Sequence, residues 1–213
     1  MTYMLAGEFE HKDSTGGEGR MTAGDVQWMK TGSGIIHSEM PAMKEGKLHG
    51  FQLWINMPAS LKMSKPEYHY IDANEMSMHH DEDKKIKVIA GKFENAEGPI
   101  KKHNVEPIFF DVELKQNKQF SFSIPKSHNS FVYLVDGRIK IGNLSHDNIE
   151  GSKLVLLTNG NNLKVSAETN AKFLLIAGEP IGESIARGGP FVMNTKSEII
   201  QAINDYNNGT FVR

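Results

Sequence analysis

His37 and Glu39 stand two residues apart in GDVQWMKTGSGIIHSEMP, residues 24–41. On an extended strand, residues i and i+2 project from the same face. One imidazole and one carboxylate would then point together into whatever that face lines. A nitrogen donor and an oxygen donor suit a first-row divalent ion. A carboxylate beside such an ion can also accept a proton from a substrate hydroxyl. His37 and Glu39 are therefore the candidate metal ligands, and Glu39 is the candidate catalytic base.

Further along, HGFQLWINM (49–57) supplies candidate pocket residues: His49, Gln52 and Trp54. Gln52 and Trp54 alternate with Phe51 and Leu53, so one pair faces the cavity and the other the sheet partner. Trp28 and Trp54 also read as core. Met29, Met40, Met43 and Met57 flank the candidate cavity and could serve as soft contacts for a planar ligand. The remaining histidines read as structural or solvated. His11 falls at the wrong end of its strand and is set aside. His79 and His80 sit in a charged stretch and are expected to be solvated. His128 is expected to make a hydrogen bond within the second half.

The elements that must position these residues are short and glycine-punctuated. Residues 2–11, 25–29, 34–40 and 49–57 read as strands. The charged stretch 68–85 reads as a surface connection with one helical turn. Strands resume at 86–93, 107–114, 119–125, 130–142, 153–158, 163–167 and 172–180. This succession predicts a β-sandwich or barrel. A helix is predicted over 195–208. Thr195 with Glu198 makes a capping box, Ile199, Ile200, Ile203 and Tyr206 form one face, and Gly209 ends it.

A short internal repeat accompanies this pattern. YMLAGEFEH (3–11) aligns with YLVDGRIKI (133–141), which pairs Gly7 with Gly137. A two-residue slip then pairs Gly32 with Gly160, His37 with Val165 and Glu39 with Ala167. The chain is thus expected to hold two copies of one β-barrel, with polar residues at the His-x-Glu positions of the first copy only.

Composition bounds the rest. With 213 residues, 38% hydrophobic and 23% charged, the chain can bury a sizeable core. Its 24 basic and 26 acidic residues give no global attraction to nucleic acid. Cysteine is absent, which excludes a disulfide frame and thiolate chemistry and fits a cytoplasmic location. No apolar run approaches the roughly 20 residues that span a bilayer, so no membrane association is expected.

GEFEHKDSTGGEG, GDVQWMKTGSGIIHSEMP, LHGFQLWINMP, KPEY and GPFVMNTKSEIIQAINDYNNGTF resemble the pirin family, a branch of the cupins, over residues 2–213. The resemblance implies an all-β bicupin with a C-terminal helix: a metal-type cupin domain at 1–100 and a second at 101–213. It implies one divalent metal in the first barrel. Iron comes first, with nickel, copper, manganese or zinc as alternatives. The family's ligands are two histidines of an HPHRGFE-type motif and the histidine and glutamate of HSE, here His37 and Glu39. No HPHRGFE-type segment stands ahead of Thr2, so the first barrel is expected to be truncated at its N-terminal side. With two of four ligands, activity is expected to be impaired. Strand edges left open by the truncation favour a homodimer. The implied activity is quercetin 2,3-dioxygenase, metal-dependent ring cleavage of a small planar flavonol-like substrate. The alternatives are a non-catalytic pirin-type regulatory or binding protein, and a folded remnant with a pseudo-site.

Overall fold

The computed structural model describes residues 1–101, 105–142 and 148–212. They fall into two compact units, Met1–Glu75 with Ile181–Arg213, and Met76–Pro180. The implied boundary at residues 100 and 101 stands next to 102–104, which lie outside the described residues. The compact units part between Glu75 and Met76 and again between Pro180 and Ile181. The reason is strand pairing: residues 84–90 bond along 109–114, which ties the 77–100 stretch to the later strands.

The first unit opens with seven strands: β1 (Thr2–Ala6), β2 (Phe9–Asp13), β3 (Glu18–Met21), β4 (Val26–Lys30), β5 (His37–Pro41), β6 (His49–Gln52) and β7 (Glu67–Ile71). One antiparallel sheet has the order β6-β1-β4-β7, and a second has the order β3-β2-β5. Residues 2–11, expected as one strand, are two. Gly7 separates them at φ +79°, and a Cβ there would lie 2.7 Å from the Lys47 carbonyl oxygen. Only glycine fits such a corner, which passes the chain from the first sheet to the second. On β2, Phe9 and His11 are buried while Glu10 and Lys12 are exposed, the alternation of a strand with one covered face.

The short helix α1 (Ala59–Lys62) is fastened by its buried lysine. Lys62 Nζ donates to Asn56 Oδ1 at 2.7 Å and to the Val192 carbonyl at 3.1 Å.

The second unit contains β8 (Ser77–His80), β9 (Lys84–Ala90), a two-residue hairpin β10 (Lys92–Phe93) and β11 (Ala96–Glu97), β12 (Ile108–Leu114) and β13 (Gln119–Phe122). These are followed by β14 (Asn129–Asp136), β15 (Arg138–Ile141), β16 (Ile149–Glu150), β17 (Lys153–Leu156), β18 (Leu163–Ala167) and β19 (Ala171–Gly178). A six-stranded sheet, β17-β14-β19-β12-β9-β8, and a four-stranded sheet, β13-β18-β15-β16, supply its core. Val88, Phe110, Val112, Phe120, Val132, Val165 and Phe173 are buried there, with Phe120 edge-on to Phe173 at 5.5 Å. The 68–85 stretch, expected as a connection, carries β7 and β8. Tyr-His-Tyr-Ile and Ser-Met-His-His suit a half-buried pleated surface despite the charges around them.

After β20 (Ala186–Gly188) and β21 (Phe191–Met193), the chain ends in α2 (Lys196–Asn207). Its capping box is formed as predicted, with the Thr195 side chain accepting from Glu198 N and Glu198 reaching back to Thr195 N. Of the predicted apolar face, Ile199 is buried, and Ile200, Ile203 and Tyr206 are exposed. Ile199 lies over Gly188, where a Cβ would meet its Cγ2 at 2.5 Å. The helix therefore rests on the β20–β21 hairpin through Ile199, and Phe211 packs between Tyr206 and Phe191 of β21.

The repeat is visible in the backbone. Gly137 lies between β14 and β15 at φ +87°, as Gly7 lies between β1 and β2. β1 shifts register against β6 between Met4 and Ala6, and β14 shifts against β19 between Leu134 and Asp136, 130 residues on.

Candidate metal centre

β5 carries His37 and Glu39 on one face, with His37 Nδ1 3.8 Å from Glu39 Oε1. Pairing of β2 with β5 sets His11 opposite Glu39 and Asp13 opposite His37. One donor atom each from His11, His37 and Glu39 lies within 4.8 Å of the others. His11, set aside from the sequence, is thus part of the cluster. The turn at Gly7 makes β2 a separate strand and aims its inward residues at β5.

The carboxylate of Glu39 is surrounded by side-chain donors. Its Oε1 accepts from Thr2 Oγ1 at 3.4 Å, from Gln27 Nε2 at 3.3 Å and from Gln52 Nε2 at 3.3 Å. Its Oε2 accepts from Gln52 Nε2 at 3.1 Å. Three different strands deliver these donors, because Thr2 pairs with both Gln27 and Gln52 across β1.

His11 is fully buried and engaged at both ring nitrogens. Nε2 is 3.0 Å from Asp13 Oδ2, and Nδ1 is 3.3 Å from Gln27 Nε2. Tyr68 stacks on its ring at 4.7 Å. Burial works to raise the Asp13 carboxyl, but hydrogen bonds from Thr15, His11 and Gly17 outweigh it and hold the pKa down to about 2. Burial pushes the Tyr68 hydroxyl up, helped by the negative charges of Asp13 and Glu39.

The donor set suits a divalent ion. Glu39 Oε2 accepts one hydrogen bond and His37 Nδ1 stands 3.8 Å from Glu39 Oε1, whereas His11 must give up a contact to ligate. Gln27 Oε1 and Tyr68 Oη are buried without a hydrogen-bond partner among the described residues. Unmet polar atoms beside a nitrogen–oxygen donor pair are what a hydrated ion or a polar substrate satisfies.

Of the pocket candidates, the structure brings Gln52 onto Glu39. His49 lies beside Phe51, ring centroids 5.5 Å apart. Phe51 alternates with Gln52 on β6, so this pair belongs to the opposite face. Trp54 lies beyond the end of β6 and is exposed rather than core, with the Arg187 guanidinium 5.5 Å from its ring centre. Trp28 is buried. His79 is not simply solvated: Nε2 is 3.1 Å from Asp81 and Nδ1 is 3.1 Å from Glu94. His128 accepts its structural role, 3.1 Å from the Glu106 carbonyl oxygen. Thr2, Gln27 and Asp13 were not legible as site residues. The polar alternation Phe9-His11-Asp13 was the available signal.

Strand register gives each site residue a counterpart in the second unit. Thr2 pairs with Gln27 and Gln52, and Val132 pairs with Val155 and Leu175. His11 pairs with Glu39, and Ile141 with Val165. Glu39 therefore matches Val165, and His37 matches Leu163, two residues before the expected Val165 and Ala167. The separation is the cause: Gln27 and Glu39 are 12 apart, and Val155 and Val165 are 10 apart, so this connection is two residues shorter in the second unit. Six polar positions of one unit are aliphatic in the other.

A sequence model of the pirin family matches residues 1–55, and that of the pirin C-terminal cupin domain matches 109–212. A pirin-like protein of Caulobacter vibrioides is 39% identical, covering 99% of this chain and 76% of its own length. Pirin-1 of Arabidopsis thaliana is also 39% identical, covering 98% of this chain and 73% of its own length. A quercetin 2,3-dioxygenase from Acinetobacter baumannii, solved by crystallography, is similar at TM-score 0.92 and 34% identity, over 99% of this chain and 74% of that one. A bacterial pirin from Escherichia coli, solved in complex with nickel(II), shares the fold at TM-score 0.65 and 23% identity, over 84% of this chain and 71% of that one. Matched in both halves and related at this level along nearly its whole length, the chain belongs to the pirin family of cupin proteins.

Proposed function

We propose that this chain is a metal-dependent dioxygenase of the quercetin 2,3-dioxygenase kind, with one divalent ion held by His37 and Glu39 and a small planar flavonol-like substrate. The observation that carries the reading is the register comparison. A scaffold that closes with six aliphatic residues in one unit holds two histidines, a glutamate, two glutamines and a threonine in the other. Similarity to a solved quercetin 2,3-dioxygenase supports the reaction class. Iron is the first candidate ion, with nickel, copper, manganese or zinc after it. When bound, the ion supplies Lewis acidity and, for a redox-active metal, electron transfer.

The residues of the chain do the rest. Glu39 Oε1 takes three of the four contacts, which leaves Oε2, with one, as the oxygen to receive the substrate's hydroxyl proton. Gln52 bridges both oxygens and limits rotation of the carboxylate. Tyr68 Oη offers an unused hydrogen bond to a polar substrate. Two ligands, His37 and Glu39, hold an ion less tightly than three or four, so slow turnover is expected.

The test is loss of flavonol absorbance with added iron(II), nickel(II), copper(II) or manganese(II), for the wild-type chain and a His37→Ala, Glu39→Ala double variant. Slow metal-dependent turnover that the double variant lacks is expected. Equal turnover in the double variant places the chemistry elsewhere. Metal uptake without turnover favours the regulatory binding protein.

A further inference from the structure

Asp13 divides its two oxygens between two tasks. Oδ1 accepts from Thr15 N at 2.7 Å, Thr15 Oγ1 at 2.6 Å and Gly17 N at 3.2 Å, which builds the β2–β3 turn. Oδ2 is left for His11 Nε2 alone, at 3.0 Å. A carboxylate only accepts, so His11 carries its proton on Nε2. Its Nδ1 is then a lone pair, and a lone pair requires a donor opposite. Gln27 presents Nε2 there, at 3.3 Å, and the second hydrogen of the same amide reaches Glu39 Oε1, also at 3.3 Å. The other end of that amide, Oε1, is buried and has no partner among the described residues. Turning the amide over would set Oε1 against both the His11 lone pair and the Glu39 carboxylate. The orphaned oxygen is therefore the cost of an orientation imposed from both sides.

We propose that Asp13, His11 and Gln27 act as a positioning string for Glu39. Asp13 selects the tautomer of His11, the tautomer selects the face of the Gln27 amide, and the amide fixes the carboxylate. His11 is in this assignment a positioning residue and not a metal ligand. The string accounts for why a fully buried histidine stands beside the site with both nitrogens spent. The matching positions Ile141 and Val155 of the second unit carry neither histidine nor amide. The consequence for metal affinity rests on the proposed role of Glu39 as ligand. The arrangement of the string does not.

Asp13→Asn isolates the link. The asparagine oxygen can serve Thr15 and Gly17 as Oδ1 does now, which leaves an NH₂ facing His11 Nε2. That donor demands the opposite tautomer, with the proton on Nδ1 against Gln27. Gln27→Leu removes the bridge and leaves Asp13 and His11 paired, in a position where the second unit tolerates valine. Long-range ¹H–¹⁵N spectra of the whole chain report the His11 tautomer without any metal, and calorimetry with Zn²⁺ reports affinity. The expected result is an Nε2–H tautomer in the wild type, an Nδ1–H tautomer in Asp13→Asn, and an unchanged tautomer in Gln27→Leu. Zn²⁺ affinity should fall about 10–100-fold in both variants, the usual loss when an outer-layer partner of a ligand is removed.

Wild-type affinity in both folded variants overturns the proposal. So does a wild-type His11 protonated on Nδ1, or a His11 ring ¹⁵N shift on Zn²⁺ addition that marks coordination. If the wild type takes up no Zn²⁺, the metal reading fails. The string is then judged by the Gln27 side-chain amide signal, which must move in Asp13→Asn. An unchanged signal overturns it. If Asp13→Asn does not fold, Gln27→Leu alone carries the affinity arm, and the wild-type tautomer still decides the first link.

Discussion

The depressed carboxyl of Asp13 should make the first unit lose stability in acid over a defined window. An ordinary aspartate titrates near 3.8, and this one is held at about 2. Its side chain is fully buried, so solvent does not screen its hydrogen bonds. Each pKa unit is worth about 1.4 kcal/mol, which places the contribution at about 2 kcal/mol. The folded value lies below the unfolded one, so the folded state binds this proton less readily. The stabilisation is complete above pH about 4 and is lost as the pH falls toward 2. Both tryptophans, Trp28 and Trp54, belong to the first unit, so their fluorescence in urea titrations reports that unit's unfolding. Wild type and Asp13→Asn should differ by about 2 kcal/mol at pH 7, and the gap should close between pH 4 and 2. Other carboxylates titrate in both proteins and cancel in the difference. A gap that stays constant with pH, or widens in acid, would refute the assignment of this stability to the Asp13 charge.

Four further outcomes are expected. Gly137→Ala should destabilise the second unit by about 3 kcal/mol or more, combining strain at φ +87° with a Cβ 2.3 Å from the Asn170 carbonyl oxygen. Gly151→Ala, at φ +73° with nothing within 4 Å, should cost only about 1 kcal/mol in the same chemical denaturation assay. Phe120→Ala, fully buried against Phe173, should cost about 3–5 kcal/mol and lower the second unit's melting temperature in calorimetry. Thr195→Ala should cost about 1 kcal/mol by opening the α2 capping box, read as faster amide exchange in its first turn.

The His-x-Glu pair was legible because a strand's period of two acts over three residues and needs no distant information. The same logic failed for His11. It treated residues 2–11 as one strand, and a continuous strand carries His11 away from β5. Gly7 was visible in the sequence, but the 2.7 Å approach of the Lys47 carbonyl that makes it a corner depends on residues 40 positions later. Gln52 was named among alternatives that only the β1–β6 register could separate, and that register turns Gln52 toward Glu39 and Phe51 to the other face. Thr2 and Gln27 carried no local signal at all, since a threonine and a glutamine become acceptor-binding groups only when three strands set them around one carboxylate. The C-terminal capping box lies within four residues and was read correctly. Burial of α2 was not, because the one residue it buries, Ile199, is selected by a glycine in the preceding hairpin.

The aliphatic counterparts in the second unit also bear on how this chain can change over time. Val132, Val165 and Leu175 are buried aliphatic residues at the positions that Thr2, Glu39 and Gln52 hold in the first unit. Nothing in the architecture therefore obliges the first unit to keep Thr2, Gln27, Glu39 and Gln52, and a buried amide oxygen with no partner is a standing penalty. Joint replacement of the set by valine and leucine would be tolerated, whereas a single replacement at Gln27 or Glu39 would strand the groups hydrogen-bonded to it. The polar set of the first unit is what the proposed metal site would require in its place.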